Sequence, residues 1–221
     1  MMAMEIKTMS VMFKNKLSFR EVPLLRGAML NMAQGDNILF HDHIGDKFRY
    51  SYPLVQYRMV DGQAAVLCLN DGIEVMKRLL STIRGGNICI GKREEPLLVD
   101  SQVFRCDELA ISNKENEYSI YRYLPLNQEN YSKYRRMEGV VERYQLIEKC
   151  LLGNILSFAK SMGVFFEDKI DLKLLDVFGI NEFRYKKINM LGFDLKFKTN
   201  VTLPWHIALG KGVSIGFGII K

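Results

Sequence analysis

The order of predicted elements over the first 90 residues limits the folds open to this chain. Asp61-Gly62 lies between two apolar runs, and this pair is typical of the two-residue turn of a β-hairpin. A helix is predicted before the hairpin, from a capping box at Ser18 and Glu21, and a second helix after it, with Asp71 as its N-cap. The predicted elements are a strand at 4–13, a helix at 18–33, strands at 48–58 and 64–69, a helix that starts at 71 and a strand at 87–90.

This βαββαβ order is that of the ferredoxin-like, or RRM-like, unit, in which two helices cover one face of an antiparallel sheet. A chain of 221 residues is long enough for two such domains. Glu94-Glu95-Pro96 marks the expected boundary, which gives domains at 1–95 and 96–221. We therefore predict an α+β protein whose first domain is ferredoxin-like. Whether the second half is a degenerate copy of that unit stays open at this point, because its sequence does not visibly repeat the first.

The second half of the chain contains its most regular helix pattern. Apolar residues at spacings of three and four run from 140 to 162 and predict a helix with one apolar face. Such a stripe indicates core packing rather than a cofactor site. Strands are predicted on both sides of this helix, at 98–109, 118–126, 170–178, 183–188, 193–203 and 213–220.

Composition excludes several classes of protein. With 48% apolar and 25% charged residues the chain has ordinary globular proportions, and no apolar run is long enough to span a membrane. The four cysteines lie far apart and indicate free thiols in a reducing cytoplasm rather than a disulfide framework. The net charge of +6 favours a polyanionic or acidic partner. We therefore expect a soluble cytoplasmic protein with no membrane partner.

A glycine-rich stretch at 208–221 is the most unusual local feature. Glycine is used where the backbone takes positive φ or lies close to another group. The stretch therefore indicates either a tight β-hairpin that closes a sheet or a loop whose backbone contacts a ligand, and spacing alone leaves both open. Its glycines fall within nine residues, with one lysine among them: Gly210, Lys211, Gly212, Gly216 and Gly218.

The predicted loop after the first helix concentrates groups suited to proton transfer. It holds two of the three histidines, His41 and His43, and is followed by Lys47 and Arg49. Histidine titrates near neutral pH and therefore suits a general acid or base. Two other interpretations stay open. One is a surface loop without a chemical role, and the other is a weak zinc site, for which only the distant His206 would add a further histidine.

Basic and aromatic residues alternate on two adjacent predicted strands near the end of the chain. With a period of two, Lys196 and Lys198 share one face of a strand, and Arg184 and Lys186 share another. Such a surface neutralises phosphates while its aromatic residues stack on bases or anchor the strands. A solvated strand face is the equally open alternative. The candidate cations are Arg184, Lys186, Lys187, Lys196 and Lys198.

Three of these features together resemble one protein family. They are the terminal glycine motif followed by one last strand, the βαββαβ unit, and the histidine loop with the Tyr-Pro-Leu-Val-Gln-Tyr-Arg segment at 52–58. The chain is similar in layout to the CRISPR repeat-processing endoribonucleases, the Cas-six family of the RAMP superfamily. The resemblance implies two tandem ferredoxin-like domains and metal-independent cleavage of precursor CRISPR RNA within each repeat. It implies no cofactor.

The resemblance also implies roles for residues of this chain. His41 or His43 fits the general acid/base position, and Lys47 fits the electrostatic stabilisation of the transition state. Arg49 is the substitute for Lys47 and a candidate for RNA binding. Some family members add a tyrosine from the first helix; this chain has none there, and Tyr50 is the only substitute offered. The four glycines with their lysine, and the five cations of the basic strands, become further candidates for RNA binding.

Two alternatives to cleavage stay open. A non-catalytic RAMP subunit would bind CRISPR RNA in an effector complex through the same glycine loop and sheet, without needing the histidines. A ferredoxin-like protein that binds a small molecule or a protein partner would carry its basic charge incidentally. Association with effector-complex subunits and formation of a homodimer are also left open, as are the repeat sequence and which histidine is the acid.

Overall fold

A computed structural model describes residues 4–33, 52–83 and 85–221 of the chain. These residues form two compact units. The N-terminal unit contains the described residues from Ile6 to Cys106 together with Ser214–Gly216. The C-terminal unit contains Asp107–Val213 and Phe217–Lys221, with Met4 and Glu5. The sequence places the change of domain at 95–96, whereas the division in the structure falls at 106–107, within one uninterrupted strand.

The N-terminal unit contains the predicted βαββαβ elements and one additional strand. Strand β3 lies between β1 and β2 in an antiparallel sheet, and β4 pairs with β5 in a separate two-stranded sheet. The sequence does not predict β5, because three of its four residues are charged and the fourth is proline, so no apolar alternation marks it. The elements are β1 (Met4–Lys16), α1 (Val22–Met32), β2 (Val55–Val60), β3 (Gln63–Leu69), α2 (Asp71–Ile83), β4 (Asn87–Ile90) and β5 (Arg93–Pro96).

The β2–β3 turn and the cap at Ser18 form as the sequence predicts, whereas Asp71, predicted as the N-cap of the second helix, is the first residue of α2. Asp61 (φ 49°) and Gly62 (φ 76°) form the β2–β3 turn, and two residues at positive φ are the mark of a type I′ turn. The backbone N–H of Ser18 donates to Glu21 Oε2 at 2.9 Å in a short 3₁₀ turn that leads into α1. This hydrogen bond lowers the pKa of Glu21. Residues 48–51 of the predicted second strand lie outside the described residues.

One face of the N-terminal sheet packs against both helices. Alternate strand residues point to this face and meet the apolar stripes of α1 and α2, as amphipathic elements require. Residues of this core that are 0% exposed include Met9, Val11, Phe13, Leu25, Met29, Cys68 and Met76. Gln56 and Arg58 of β2 point away from that core and are buried as well.

The C-terminal unit is built on a second antiparallel sheet. Strand β8 lies between β6 and β7, and β9 pairs with the other edge of β6. The helix predicted at 140–162 is confirmed as α4, whose apolar stripe is buried. The elements are the part of β6 (Val99–Tyr123) from Asp107 onward, α3 (Gln128–Arg136), α4 (Val140–Ser161), β7 (Leu172–Tyr185), β8 (Ile188–Thr202) and β9 (Ile219–Ile220).

Two pairs of predicted strands are each a single strand. Residues 112–115 bulge out of the ladder with β8, and pairing with β8 is present on both sides of the bulge. The strands predicted at 98–109 and 118–126 are therefore one strand, β6. The strands predicted at 170–178 and 183–188 are joined in β7. The turn that ends β7 lies at Lys186 (φ 47°) and Lys187 (φ 67°). Lysine is an unusual residue at positive φ, so no sequence signal marked this turn.

The final strand is shorter than the sequence predicts. A 3₁₀ turn at Val213–Ile215 and positive φ at Gly216 and Gly218 interrupt the strand predicted at 213–220, and only β9 remains. None of the helices in the described parts of the chain is long and apolar enough to cross a membrane.

Candidate functional site

The residues to which the sequence assigns catalysis lie outside the described residues, in the segment 34–51. Their roles therefore stay predictions. The structure describes the chain up to Ala33, at the C-terminal end of α1, and from Tyr52, shortly before β2. The residues concerned are His41, His43, Lys47, Arg49 and the substitute Tyr50.

A chain of polar side chains leads from Tyr52 into the N-terminal sheet. The Arg58 guanidinium donates from Nη2 to Gln56 Oε1 at 2.7 Å. Gln56 Nε2 in turn donates to the Tyr52 hydroxyl at 3.1 Å and to the Pro53 carbonyl oxygen at 3.3 Å. Arg58 is 4% exposed and Gln56 is 0% exposed. Tyr52 and Pro53, which directly follow 34–51 in sequence, are thus hydrogen-bonded to the buried side chain of Gln56 in β2.

Arg58 keeps its charge in spite of its burial. Removal from water lowers the pKa of Arg58 to about 10, which is still well above neutral pH. A buried guanidinium needs hydrogen-bond acceptors, because its five N–H groups lose their water. Gln56 supplies one acceptor without adding a second charge. The sequence includes Arg58 in the segment 52–58 that resembles the family, but nothing in the pattern showed that its side chain is buried.

The glycine-rich stretch forms a β-hairpin. Ala208 pairs with Ile219, and Leu209 N–H donates to the Gly218 carbonyl oxygen at 2.8 Å. The pairing continues from Ile220 N–H to the Ile207 carbonyl oxygen, also at 2.8 Å. The loop of this hairpin is 210–217. The backbone of the stretch therefore has the first of its two predicted forms, a hairpin that closes a sheet. Strand β9 pairs this hairpin with β6.

Gly218 is held against the protein itself. A Cβ at this position would collide with the Leu209 carbonyl oxygen, and the residue has φ +69°. Its N–H donates to the carbonyl oxygens of Tyr121 and Arg122, at 3.0 and 3.2 Å. These carbonyls lie where the β6–β8 register shifts, and Arg122 has φ 51° there. Only glycine fits Gly218, because both the conformation and the contact exclude a side chain.

The first part of the hairpin loop lies close to aromatic rings of the C-terminal unit. A Cβ at Gly210 would be 2.7 Å from the Tyr123 ring, and one at Gly212 would be 2.7 Å from the Phe217 ring. Both glycines are half-buried, whereas Gly218 is buried. Gly210 and Gly212 therefore retain access to solvent on the side away from these rings.

Lys211 is directed back to the protein. Its ammonium donates to the Leu126 carbonyl oxygen at 3.1 Å, and its backbone N–H donates to the Leu124 carbonyl oxygen at 3.3 Å. Partial burial lowers the pKa of Lys211. These two hydrogen bonds hold Lys211 and the start of the loop against residues 124 and 126.

Residues 214–216 of the loop belong to the N-terminal unit. Ile215 packs against the N-terminal core. A Cβ at Gly216 would lie 3.4 Å from the Phe19 ring, 3.6 Å from the Tyr57 carbonyl oxygen and 3.7 Å from Arg58 Cα. Gly216 is buried and thus covers the strand that carries the buried guanidinium.

The basic strands divide into a paired and an exposed group. Lys196 and Lys198 share a face of β8, as predicted, but Lys196 forms an ion pair with Glu117 at 2.6 Å and Lys198 with Glu115 at 2.8 Å. Arg184, Lys186 and Lys187 are exposed at the tip of the β7–β8 hairpin. Lys186 lies in the turn, so the prediction that it shares a strand face with Arg184 is wrong: the strand ends at Tyr185.

The sequence missed a stacked aromatic pair next to the glycine-rich stretch, of which Trp205 is exposed and His206 is half-buried. The Trp205 and His206 rings are stacked, with centroids 4.8 Å apart and 29° between their planes. The sequence considered His206 only as a distant metal ligand. Within the described ranges, no group of three or more His, Cys, Asp or Glu side chains is placed to hold a metal ion.

Comparison with protein families gives two matches that together span most of the chain. Residues 4–102 match the Cas6b N-terminal domain, and residues 110–221 match the Cas6b C-terminal domain. An uncharacterised protein of Methanocaldococcus jannaschii is 31% identical to this chain over 117 residues, which are 52% of this chain and 77% of that protein.

Two solved structures are similar over the whole chain. A crystal structure of Cas6b has a TM-score of 0.83 and 23% identity, covering 98% of this chain and 99% of its own. A crystal structure of the CRISPR RNA processing endoribonuclease Cas6b has a TM-score of 0.73 and 24% identity, covering 98% of each chain. The predicted fold class, two tandem ferredoxin-like domains of which the second is degenerate, is confirmed.

Replacing Gly218 with alanine is expected to destabilise the C-terminal unit by at least about 2 kcal/mol, because a Cβ meets the Leu209 carbonyl at a positive φ. Gly153→Ala is the matched control. Gly153 lies on the exposed side of α4 with nothing within 4 Å of a Cβ, so alanine there is expected to be neutral or to stabilise by up to about 1 kcal/mol. Urea unfolding of both variants measures the difference, and equal stabilities would contradict the described hairpin.

Gln56→Leu is expected to lower the free energy of unfolding by about 2 kcal/mol, the usual value for a lost hydrogen bond to a charged group. Leucine has a similar size but leaves Arg58 without the acceptor at 2.7 Å. Gln102→Leu, at an exposed position of β6, is the control and is expected to change stability by less than about 0.5 kcal/mol. If both variants unfold at the same urea concentration, the buried hydrogen bond does not stabilise this sheet.

Proposed function

The chain belongs to the Cas6b family, and from this membership we propose that it is an endoribonuclease that cuts precursor CRISPR RNA within its repeats. The match of both Cas6b domains, over 4–102 and 110–221, carries the proposal. One of the two similar structures is that of a CRISPR RNA processing endoribonuclease. A net charge of +6 suits a polyanionic substrate.

The proposed reaction is an internal transfer of the phosphate and needs no metal ion. The ribose 2′-oxygen upstream of the cut attacks the adjacent phosphorus, and the bond from phosphorus to the 5′-oxygen breaks. One product ends in a 2′,3′-cyclic phosphate and the other begins with a 5′-hydroxyl. The protein must remove the 2′-hydroxyl proton, supply a proton to the departing oxygen and stabilise the negative charge of the transition state.

The proposed catalytic residues are those of the segment 34–51. His41 and His43 are the candidates for acid and base, because imidazole both gives and takes protons near neutral pH. Lys47 stabilises the phosphorane-like transition state, and Arg49 contributes positive charge or binds the RNA. The buried chain from Arg58 through Gln56 to Tyr52 supports this proposal indirectly, since it fixes the residues that directly follow the segment in sequence.

The proposed RNA contacts differ in strength. Arg184, Lys186 and Lys187 carry exposed charge at a hairpin tip and form no ion pair with another described residue, so phosphates reach them without breaking one there. Lys196 and Lys198 must first exchange their carboxylate partners for phosphates. In the glycine loop, Gly210 and Gly212 offer half-exposed backbone to a phosphate, and Lys211, Gly216 and Gly218 hold the loop in shape.

Cleavage in the presence of EDTA tests the reaction. Purified protein is incubated with its cognate repeat RNA, and the product ends are identified by mass spectrometry. A single cut per repeat, with a 2′,3′-cyclic phosphate and a 5′-hydroxyl, is expected at an unchanged rate after chelation. RNA binding without any cut would instead favour a non-catalytic RAMP subunit, and absence of both would favour a protein with another ligand.

Alanine substitution of the two histidines, one at a time, tests the proposed acid and base. Removal of a general acid or base lowers rates by about 10² to 10⁴. At least one of His41→Ala and His43→Ala is therefore expected to slow single-turnover cleavage by that factor, while the RNA affinity, measured by fluorescence anisotropy, stays the same. Unaltered rates in both variants would remove the segment 34–51 from the proposed mechanism.

Salt-dependent RNA binding distinguishes the two groups of cations. Changing Arg184, Lys186 and Lys187 together to glutamine is expected to make the slope of log affinity against log salt shallower by up to about 2, at about 0.7 per lost phosphate contact. The double variant Lys196→Gln/Lys198→Gln is expected to change the slope less, because both lysines are already neutralised by glutamates.

Lys160→Gln is the control for these variants, since Lys160 lies exposed in the last turn of α4. It is expected to leave the slope unchanged. A larger effect of the β8 variant than of the tip variant would show that the strand face, and not the hairpin tip, binds the phosphates.

A further inference from the structure

Trp205 stands on a turn that is fixed on both sides. Before it, the Leu203 N–H donates to the Tyr118 hydroxyl at 2.9 Å. The Trp205 N–H donates to Asp107 Oδ2 at 3.2 Å, and Ile207 N–H closes the turn onto the Pro204 carbonyl oxygen at 3.4 Å. The turn is thus held to β6 through both a side-chain hydroxyl and a carboxylate.

The indole ring is exposed although its neighbours in the chain are not. Trp205 is 47% exposed, whereas Leu203 is 5% and Ile207 0% exposed. His206 stacks on it with 4.8 Å between ring centroids. One exposed aromatic residue is ordinary on a protein surface. Here, however, a fixed backbone, a stacked imidazole and a φ of 62° at His206 all maintain the exposed position, and strained backbone of this kind persists only where the surroundings impose it.

The chemistry of this place selects a flat, uncharged ring as its ligand. The turn presents the indole ring of Trp205, which has no charge to pair with a phosphate. Trp205 is the exposed ring of this turn, because Pro204 before it is buried and His206 after it is half-buried. A nucleobase matches it, because every base has a π-face and stacks on aromatic side chains without regard to sequence.

A second exposed aromatic pair in the same unit does not have this geometry. Tyr121 and Phe178 meet edge to face, at 67° and 5.8 Å between centroids, and Lys221 Nζ lies 5.3 Å from the Tyr121 ring centroid. A third ring cannot extend an edge-to-face pair as a parallel stack. A third ring can extend the stack of Trp205 on His206, whose planes differ by 29°.

We propose that Trp205, backed by His206, is a stacking platform for one unpaired nucleobase of the bound RNA. The proposal rests on the proposed function, since it takes the RNA to be the ligand. It adds a base contact, next to the glycine-rich stretch, to the phosphate contacts assigned above. Trp205 is a binding residue on this account and takes no part in the cleavage step.

The chain offers a direct probe of this contact, because Trp205 is its only tryptophan. The cognate repeat RNA, with a 2′-deoxy nucleotide at its cleavage site so that it stays intact, is titrated into the protein. Anisotropy of a dye on the RNA measures binding, and tryptophan emission measures the platform. Emission is expected to fall with the same midpoint as the anisotropy rises, and acrylamide is expected to quench Trp205 less in the complex than in the free protein.

Two variants separate stacking from charge. Trp205→Ala is expected to raise Kd by about 5-fold to 100-fold, the range for a lost base–aromatic stack, and Trp205→Phe by less. Neither is expected to change the salt slope, because stacking releases no counterions. An RNA that is abasic at the stacked position is expected to bind the unaltered protein as weakly as the intact RNA binds Trp205→Ala.

Each negative result has its own meaning. RNA binding with unchanged emission and unchanged acrylamide access would overturn the platform and leave the proposed function intact. Absence of RNA binding by anisotropy would overturn the proposed function and the platform with it. Loss of affinity in Trp205→Ala together with a shallower salt slope would show that the turn positions phosphate contacts, and would also overturn the platform.

Discussion

The backbone at Gly218 approaches the facing strand of the terminal hairpin more closely than any side chain would allow, and the hairpin depends on this approach. Gly218 lies against the Leu209 carbonyl and donates its N–H to carbonyls of β6 where the ladder shifts register. Gly216 covers β2 at Arg58. The glycine-rich motif therefore has a structural purpose first, and the proposed RNA contact is assigned only to the half-exposed Gly210 and Gly212.

Several cations of the described residues are held by groups of the protein itself. Arg58 is buried against an amide, Lys211 donates to a carbonyl, and the two β8 lysines are paired with glutamates. The cations at the β7–β8 tip are exposed, and of these Lys186 Nζ lies 5.6 Å from the centroid of the Tyr185 ring. In the proposed function they are the first contact for a polyanion, because binding there breaks no ion pair among the described residues. The net charge by itself indicated none of this distribution.

Sequence patterns predicted the elements whose causes are local. The Asp61-Gly62 turn, the capping box at Ser18 and the apolar stripe of α4 each follow from a few neighbouring residues, and the structure has all three. One failure is local, because the turn at Lys186-Lys187 has no glycine to mark it. The other failures have distant causes, and the bulge in β6 is defined only by its pairing with β8. The burial of Arg58 and the Trp205–His206 stack depend on tertiary contacts, so no pattern along the chain announces them.

The proposed mechanism depends on one oxygen atom of the substrate, the 2′-oxygen next to the cut. Its most direct test is the rate of cleavage of a repeat RNA in which that single hydroxyl is replaced by hydrogen. Cleavage at this position is expected to stop, while the affinity for the RNA and any cutting of neighbouring unmodified repeats stay unchanged. Continued cleavage of the modified repeat at the same bond would contradict the mechanism, because it would require water or another external nucleophile to attack the phosphate.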